Sequence, residues 1–220
     1  MVSRPAPPDT IASFRGGLID AARGLGRPLS GAEADALASH YRLLMDWGRR
    51  MNLTGLRDPG AVLRRHFLEP IAAADLLGDG GTLVDLGSGN GFPAIPLRVL
   101  HPGLALVLVE ASEKKSAFLW AVLCELNLRG ARVETRRIGT IDDLSDILPC
   151  RYLTCRAVRT DRLFRGGSAP VLERGGKALF FVSTEQAGAM RQRPPRGLRW
   201  VETRPLQAGP RSVVAVLEPE

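Results

Sequence analysis

The stretch Leu83-Val84-Asp85-Leu86-Gly87-Ser88-Gly89-Asn90-Gly91-Phe92-Pro93 constrains the fold more than any other part of the chain. An apolar run ends at Asp85, three glycines follow at alternate positions, and Pro93 and Pro96 mark the start of a helical pattern. Glycine lets the backbone turn tightly and approach a ligand with no Cβ in the way. A strand that enters a glycine turn and leaves as a helix is the opening unit of a nucleotide-binding α/β sheet, whose ligands sit at the carboxyl ends of the strands.

The rest of the chain fits that unit. Short apolar runs at Leu104 to Glu110, Arg132 to Arg136, Leu153 to Arg156, Ala178 to Val182 and Val213 to Leu217 alternate with helical stretches such as Lys114 to Leu128. This alternation predicts a parallel sheet covered by helices on both faces. The runs near Arg199–Arg204 and Ser212–Leu217 are close enough to pair as a hairpin at one edge. Residues before about 78 read as helical. Asp9 can cap a first helix that ends at Gly24 and Gly26. Ser30 and Glu33 form a capping box ahead of Leu37, Tyr41, Leu44 and Met45 at helical spacing. Asp58-Pro59 opens a third helix, and Pro70 predicts a kink or break before Ile71. The chain thus divides into a helical extension, residues 1–78, and an α/β domain, residues 79–220.

Two acids define the ligand. Glu110 ends the second strand, where a carboxylate accepts two hydrogen bonds from a ribose diol. Asp85 stands two residues before the first glycine, where it would repel a pyrophosphate and attract an amine. A dinucleotide site would also need G-x-G-x-x-G, and here the third glycine, Gly91, comes one residue early. A ribose together with a sulfonium and an α-ammonium is what S-adenosylmethionine offers. The loop therefore specifies the cofactor class and is silent on the substrate.

Composition speaks to the partner. The formal charge is +7, and 27 of the 30 basic residues are arginine. The arginine excess is what a GC-rich genome produces, yet its distribution is uneven. Arg191, Arg193, Arg196, Arg199 and Arg204 are opposed by Glu202 alone, a stripe that suits a polyanion such as RNA. Cys124, Cys150 and Cys155 form no C-x-x-C pair and have no zinc-ligand spacing, so neither a disulfide framework nor a metal site is expected, and the compartment is reducing and cytoplasmic. Cys124 and Cys155 read as small core residues. No apolar run reaches the ~18–20 residues of a membrane span, and the first residues lack the apolar segment of a secretory signal. His66 reads as a helix residue beside the interface of the two parts, His101 as a partner for a helix C-terminus, and Trp47 as core.

Several segments, in order, resemble the ribosomal RNA small subunit methyltransferase G family. Trp47 to Thr54 followed by Arg57-Asp58-Pro59 is similar to W-N-x-x-x-N-L-T…R-D-P, and Arg65 to Glu69 to R-H-x-L-D. Asp85 to Leu97 is similar to D-x-G-x-G-x-G-F-P-G-I-P-L. Glu110 to Lys115 with Phe118-Leu119 resembles D-S-x-x-K-R…F-L, and Cys155-Arg156-Ala157 resembles S-R-A. The resemblance implies a class I, Rossmann-like methyltransferase fold and transfer of a methyl from S-adenosylmethionine to guanine N7 of 16S rRNA, in free RNA or in a small-subunit precursor. By motif position it implies cofactor contacts at Gly87, Phe92, the Ile138-Gly139 backbone and Arg156, with Glu110 at the ribose and Asp85, Gly89 and Gly91 completing the loop. Basic active-site residues fall on Lys114, Arg137 and Arg156, and Asn52, Thr54, Arg65 and His66 fall on the substrate side. Guanine N7 loses no proton on methylation, so no general base is required. A guanidinium fork of Arg156 at the fourth strand end, with Arg137 reaching the same crevice, is expected to position the base. The chain departs from the family pattern at Glu69-Pro70, at Ala94, at Gly139-Thr140, and at Val182, where L-K-G carries lysine.

Overall fold

The computed structural model describes residues 8–48, 58–157, 159–165, 170–206 and 211–220. Helices α1 (Pro8–Gly24) and α2 (Gly31–Gly48) open the chain. Asp9 lies inside the first turn of α1 rather than ahead of it, a favourable place for a negative charge against the helix dipole. Ahead of α2 the capping box forms as read: the Ser30 N–H donates to Glu33 at 2.7 Å and the Glu33 N–H to Ser30 Oγ at 3.2 Å. Asp58 caps α3 (Pro59–Val62) by accepting from the Ala61 N–H.

Of the kink or break expected before Ile71, the break does not occur. A π-helical segment, Leu63–Leu68, joins α3 to α4 (Glu69–Ala72), and Pro70 falls in the first turn of α4. The Glu69 N–H reaches five residues back to the Arg64 carbonyl. The widened turn upstream absorbs the donor that proline lacks, so the helical path continues through Ile71.

Strands β1 (Thr82–Leu86), β2 (Ala105–Glu110), β3 (Ala131–Thr135), β4 (Cys150–Arg156), β5 (Leu172–Ser183), β6 (Leu198–Pro205) and β7 (Ser212–Pro219) form one sheet in the order β3-β2-β1-β4-β5-β7-β6. The first five run parallel, and β7 lies antiparallel between β5 and β6, which places the hairpin at the edge. Helices α5 (Ala94–Leu100) and α6 (Glu113–Glu125) follow β1 and β2, α7 (Thr160–Leu163) follows β4, and α8 (Thr184–Gln192) follows β5.

Alternation along the strands divides the core into two layers. Leu83, Leu106, Leu108, Tyr152, Leu179 and Phe181 pack with Phe14, Leu37, Tyr41 and Phe67 of the N-terminal helices. Val84, Leu86, Leu153, Cys155 and Phe180 pack with Leu163, Phe164, Ala187 and Met190 on the other face. The helical extension and the sheet therefore share one continuous core layer. Phe14 stacks on Tyr41 with ring centroids 3.7 Å apart, within that layer. Cys155 is buried, but Cys124 is exposed: it occupies the outer side of α6, whose inner side is filled by Phe118, Leu119, Val122 and Leu123. Among the described residues no helix is long and apolar enough to cross a membrane, and no group of three His, Cys, Asp or Glu side chains is placed to hold a metal.

Candidate active site

The carboxyl end of β1 carries the site. The N–H groups of Gly87 and Ser88 both donate to the Val109 carbonyl (2.9 and 3.0 Å), which ties the glycine loop to β2. Gly91 has φ +83°, and a Cβ there would sit 2.3 Å from Ile95 Cδ1. Only glycine lets the loop lie this close to α5.

Glu110 is buried and oriented by two backbone donors. The Gly89 N–H reaches its Oε2 and the Ser112 N–H its Oε1, both at 2.8 Å. A carboxylate has about four acceptor positions, so each oxygen keeps one for an incoming diol. Asp85 is 1% exposed. Its Oδ1 accepts from Thr154 Oγ1 at 2.7 Å, and its Oδ2 is buried with no hydrogen-bond partner. Burial outweighs the Thr154 hydrogen bond and pushes the carboxyl up to about 6, while the Ser88 hydroxyl donates to the Asp85 backbone carbonyl at 3.0 Å. A buried acceptor left open at the foot of a glycine loop fits the α-ammonium of S-adenosylmethionine, and the Glu110 lone pairs fit its ribose.

Phe92 is held between two histidines. The His40 ring stacks on one face at 4.4 Å and the His66 ring on the other at 4.5 Å, each within 9° of parallel. His40 Nε2 lies 2.9 Å from the Asn90 carbonyl, so the proton is on Nε2. Burial lowers His40 to about 4; burial, then Arg156, lowers His66 to about 3, and both rings are neutral at physiological pH. The N-terminal helices thereby grip the glycine loop through α2 as well as through the π segment. His40 was not marked by any sequence motif. His66 does lie beside the N-terminal helices and the sheet domain, as the sequence suggested, and its ring there stacks on the loop.

Arg156 ends β4 beside this assembly. Its side chain is 11% exposed, with Nη1 donating to the Arg65 carbonyl at 2.7 Å and Nη2 2.7 Å from Glu69 Oε2. The guanidinium lies over Phe181, 4.9 Å from the ring centre. Burial lowers its pKa to about 10 against the opposing pull of Glu69. Glu69 also accepts from Ser212 Oγ at 2.6 Å. The fork expected to face a base is thus turned inward: Nη1 is hydrogen-bonded, Nη2 is close enough to Glu69 for an ion pair without hydrogen-bond alignment, and Nε is buried with no hydrogen-bond partner.

The structure brings together Asp85, Gly87, Gly89, Gly91, Phe92, Glu110, Arg65, His66 and Arg156. It does not bring Arg137 into their company. Arg137 is exposed just past the edge strand β3, three strands from β4, roughly 14 Å at the spacing of a sheet. Lys114 is exposed in the first turn of α6. Gly139 gives its N–H to Asp143 Oδ2 at 2.7 Å, while Ile138 packs against the second core layer. Asn52 and Thr54 lie outside the described residues. Trp47 is partly buried, edge-on to Phe118. His101 caps α5 and turns its Nε2 to the Ala74 carbonyl at 2.9 Å.

Comparison with known proteins gives the family and agrees with the fold. The family described as rRNA small subunit methyltransferase G matches over residues 33–194. A ribosomal RNA small subunit methyltransferase G of Xanthomonas campestris pv. campestris (strain 8004) is 34% identical over 219 residues, covering 96% of each chain. One from Chloroflexus aggregans is 37% identical over 164 residues, 74% of this chain and 69% of its own. Among solved structures, a SAM dependent methyltransferase from Aquifex aeolicus superimposes with a TM-score of 0.56 at 15% identity, over 76% of this chain and 96% of that one. The last likeness is one of fold.

Proposed function

The chain belongs to the rRNA small subunit methyltransferase G family, and we propose that it methylates N7 of a guanine in 16S rRNA, in the cytoplasm, on free RNA or on a precursor of the small subunit. The observation that carries the reading is the open Oδ2 of Asp85 below a glycine loop already squared against Glu110. Bound S-adenosylmethionine supplies a methyl group made electrophilic by its sulfonium. Asp85 holds the ammonium, Glu110 the ribose diol, and the His40–Phe92–His66 stack fixes the loop between them. These groups act by orientation, which brings a lone pair into line with the methyl. N7 presents such a lone pair without deprotonation, so the reaction asks for no base, and the two neutral histidines are engaged in stacking. Arg156 serves as a positioning residue that joins β4 to the π segment through Glu69 and Arg65.

Thermal unfolding tests the cofactor. S-adenosylmethionine or S-adenosylhomocysteine should raise Tm, since a ligand at 100 times its Kd adds ~2.7 kcal/mol, and NAD should not. Mass-spectrometric mapping of 16S rRNA from cells with and without the gene tests the product; an unchanged map ends the rRNA reading.

The RNA contact has its own signature. Arg199 pairs with Glu218 and Arg204 with Asp75, whereas Arg191, Arg193 and Arg196 are exposed with no ion pair among the described residues. Neutralising those three together should flatten the log–log salt dependence of RNA binding by ~0.7–0.9 per lost phosphate contact, with cofactor affinity unchanged. A parent protein whose binding ignores salt would instead point to a small-molecule substrate.

A further inference from the structure

On the face of the sheet away from Glu69, a cleft of about 650 Å³ opens at the carboxyl ends of β4 and β5, within the size range of ligand pockets. Its floor is apolar: Cys155, Phe164, Phe180 and Met190 are buried there. Side chains alternate along a strand, so Cys155 turns into this cleft while Arg156, the next residue, turns to Glu69. The cleft and the cofactor crevice therefore share the lip of β4, where Cys155 pairs with Leu86, the residue before the glycine loop.

The rim is cationic. Arg165, Arg193 and Arg196 are exposed around it. The acid on the rim, Asp161, is already matched by Arg159 at 3.0 and 3.3 Å. An apolar floor under a ring of guanidinium groups suits a planar base whose neighbouring phosphates lie at the mouth.

One lining side chain can choose between bases. Gln186 closes the capping box of α8: its N–H donates to Ser183 Oγ at 3.2 Å and its Oε1 accepts from the Ser183 N–H at 3.0 Å. With a donor on that oxygen, the orientation of the amide is settled, and the free end is an NH₂ that only donates. Guanine offers the O6 acceptor beside N7, whereas adenine carries an amino donor at the same place. Val182 and Thr160 also line the wall; the Thr160 hydroxyl can donate or accept and so does not discriminate, whereas the free amide end of Gln186 only donates.

We propose that this cleft seats the target nucleotide, with Gln186 selecting guanine through O6 and Arg165, Arg193 and Arg196 holding the flanking phosphates. The identification of the nucleotide as part of 16S rRNA rests on the function proposed above; the preference for guanine over adenine does not.

Gln186→Glu isolates the point. Glutamate closes the same capping box and its charge suits a helix N-terminus, so the fold is kept while the donor becomes an acceptor. With the cofactor site saturated by S-adenosylhomocysteine, NMR titration of the parent should show guanosine 5′-monophosphate binding about tenfold tighter than adenosine 5′-monophosphate, with the shifts at Ala189 and Met190. In Gln186→Glu that preference should vanish and methylation of 16S rRNA should fall at least about tenfold, with Tm and S-adenosylhomocysteine affinity as in the parent. Equal binding of the two nucleotides by the parent, or an undiminished guanine preference in Gln186→Glu, overturns the assignment. A guanine preference that depends on Gln186, in a parent that leaves 16S rRNA unmodified, keeps the cleft and removes the rRNA reading alone.

Discussion

Glu69→Ala is expected to cost the fold about 3–5 kcal/mol, the scale on which a buried ion pair punishes loss of one partner. Arg156 is 11% exposed, and Glu69 is the carboxylate 2.7 Å from it. Without Glu69 the guanidinium keeps the Arg65 carbonyl and the face of Phe181, which do not balance a buried charge. Ser212 Oγ loses its acceptor in the same step. Urea unfolding measures the loss. The double variant Glu69→Ala/Arg156→Met should recover most of it, because an apolar side chain of similar length replaces the stranded charge. Its activity then separates two roles for Arg156. A stable, active double variant assigns the pair to architecture, and a stable, inactive one places the guanidinium in the chemistry. A Glu69→Ala protein as stable as the parent would mean that the pair contributes nothing to cohesion.

What the sequence made legible, and what it hid, follows the range of each interaction. The glycine loop, Asp85 and Glu110 were readable because spacing along β1 and β2 alone sets them at the strand ends. The capping box at Ser30 and the cap at Asp58 are equally local, each settled by residues three apart, and the hairpin edge joins strands that are neighbours in the chain. His40 was not readable. Its hydrogen bond to the loop spans 50 positions, and a histidine on the buried face of an amphipathic helix carries no mark that distinguishes it from core. Glu69 was visible only as a departure from R-H-x-L-D-S, while its partners are 87 and 143 residues away on β4 and β7. Strand order likewise decided the arginines. Arg137 and Arg156 follow consecutive strands in the chain, but β2 and β1 are inserted between β3 and β4, which carries them apart. The break expected at Pro70 overlooked how a π turn can present a helix with no donor at that position.

The same long-range packing gives the site its pH dependence. Asp85 is pushed up to about 6 from an ordinary value of 3.8, chiefly by burial. An acid raised in the folded state binds its proton more tightly there than in the unfolded chain, so its contribution to stability is present below about 3.8 and is lost as pH rises through about 6. The shift corresponds to an upper bound of ~3 kcal/mol, which the protein forgoes at neutral pH by keeping the carboxylate ionised and half-satisfied. Asp85→Asn removes this titration. Between pH 4 and pH 7 the stability of Asp85→Asn should therefore improve relative to that of the parent by up to that amount, whatever constant cost the new amide adds. Cofactor binding should run the other way. An ammonium is attracted by the carboxylate and not by the acid, so the parent's affinity for S-adenosylmethionine should climb as pH rises towards 6, by up to tenfold per unit, and then level off. In Asp85→Asn it should be low and flat across the same range, at least ~10²-fold below the parent at pH 7.5, because a charge-assisted contact and its orienting effect are both gone. Calorimetric titration at several pH values, set beside urea unfolding of both proteins, reads the two slopes. Opposite signs place the open oxygen of Asp85 under the cofactor's amine; affinity in Asp85→Asn that matches the parent would remove Asp85 from the site.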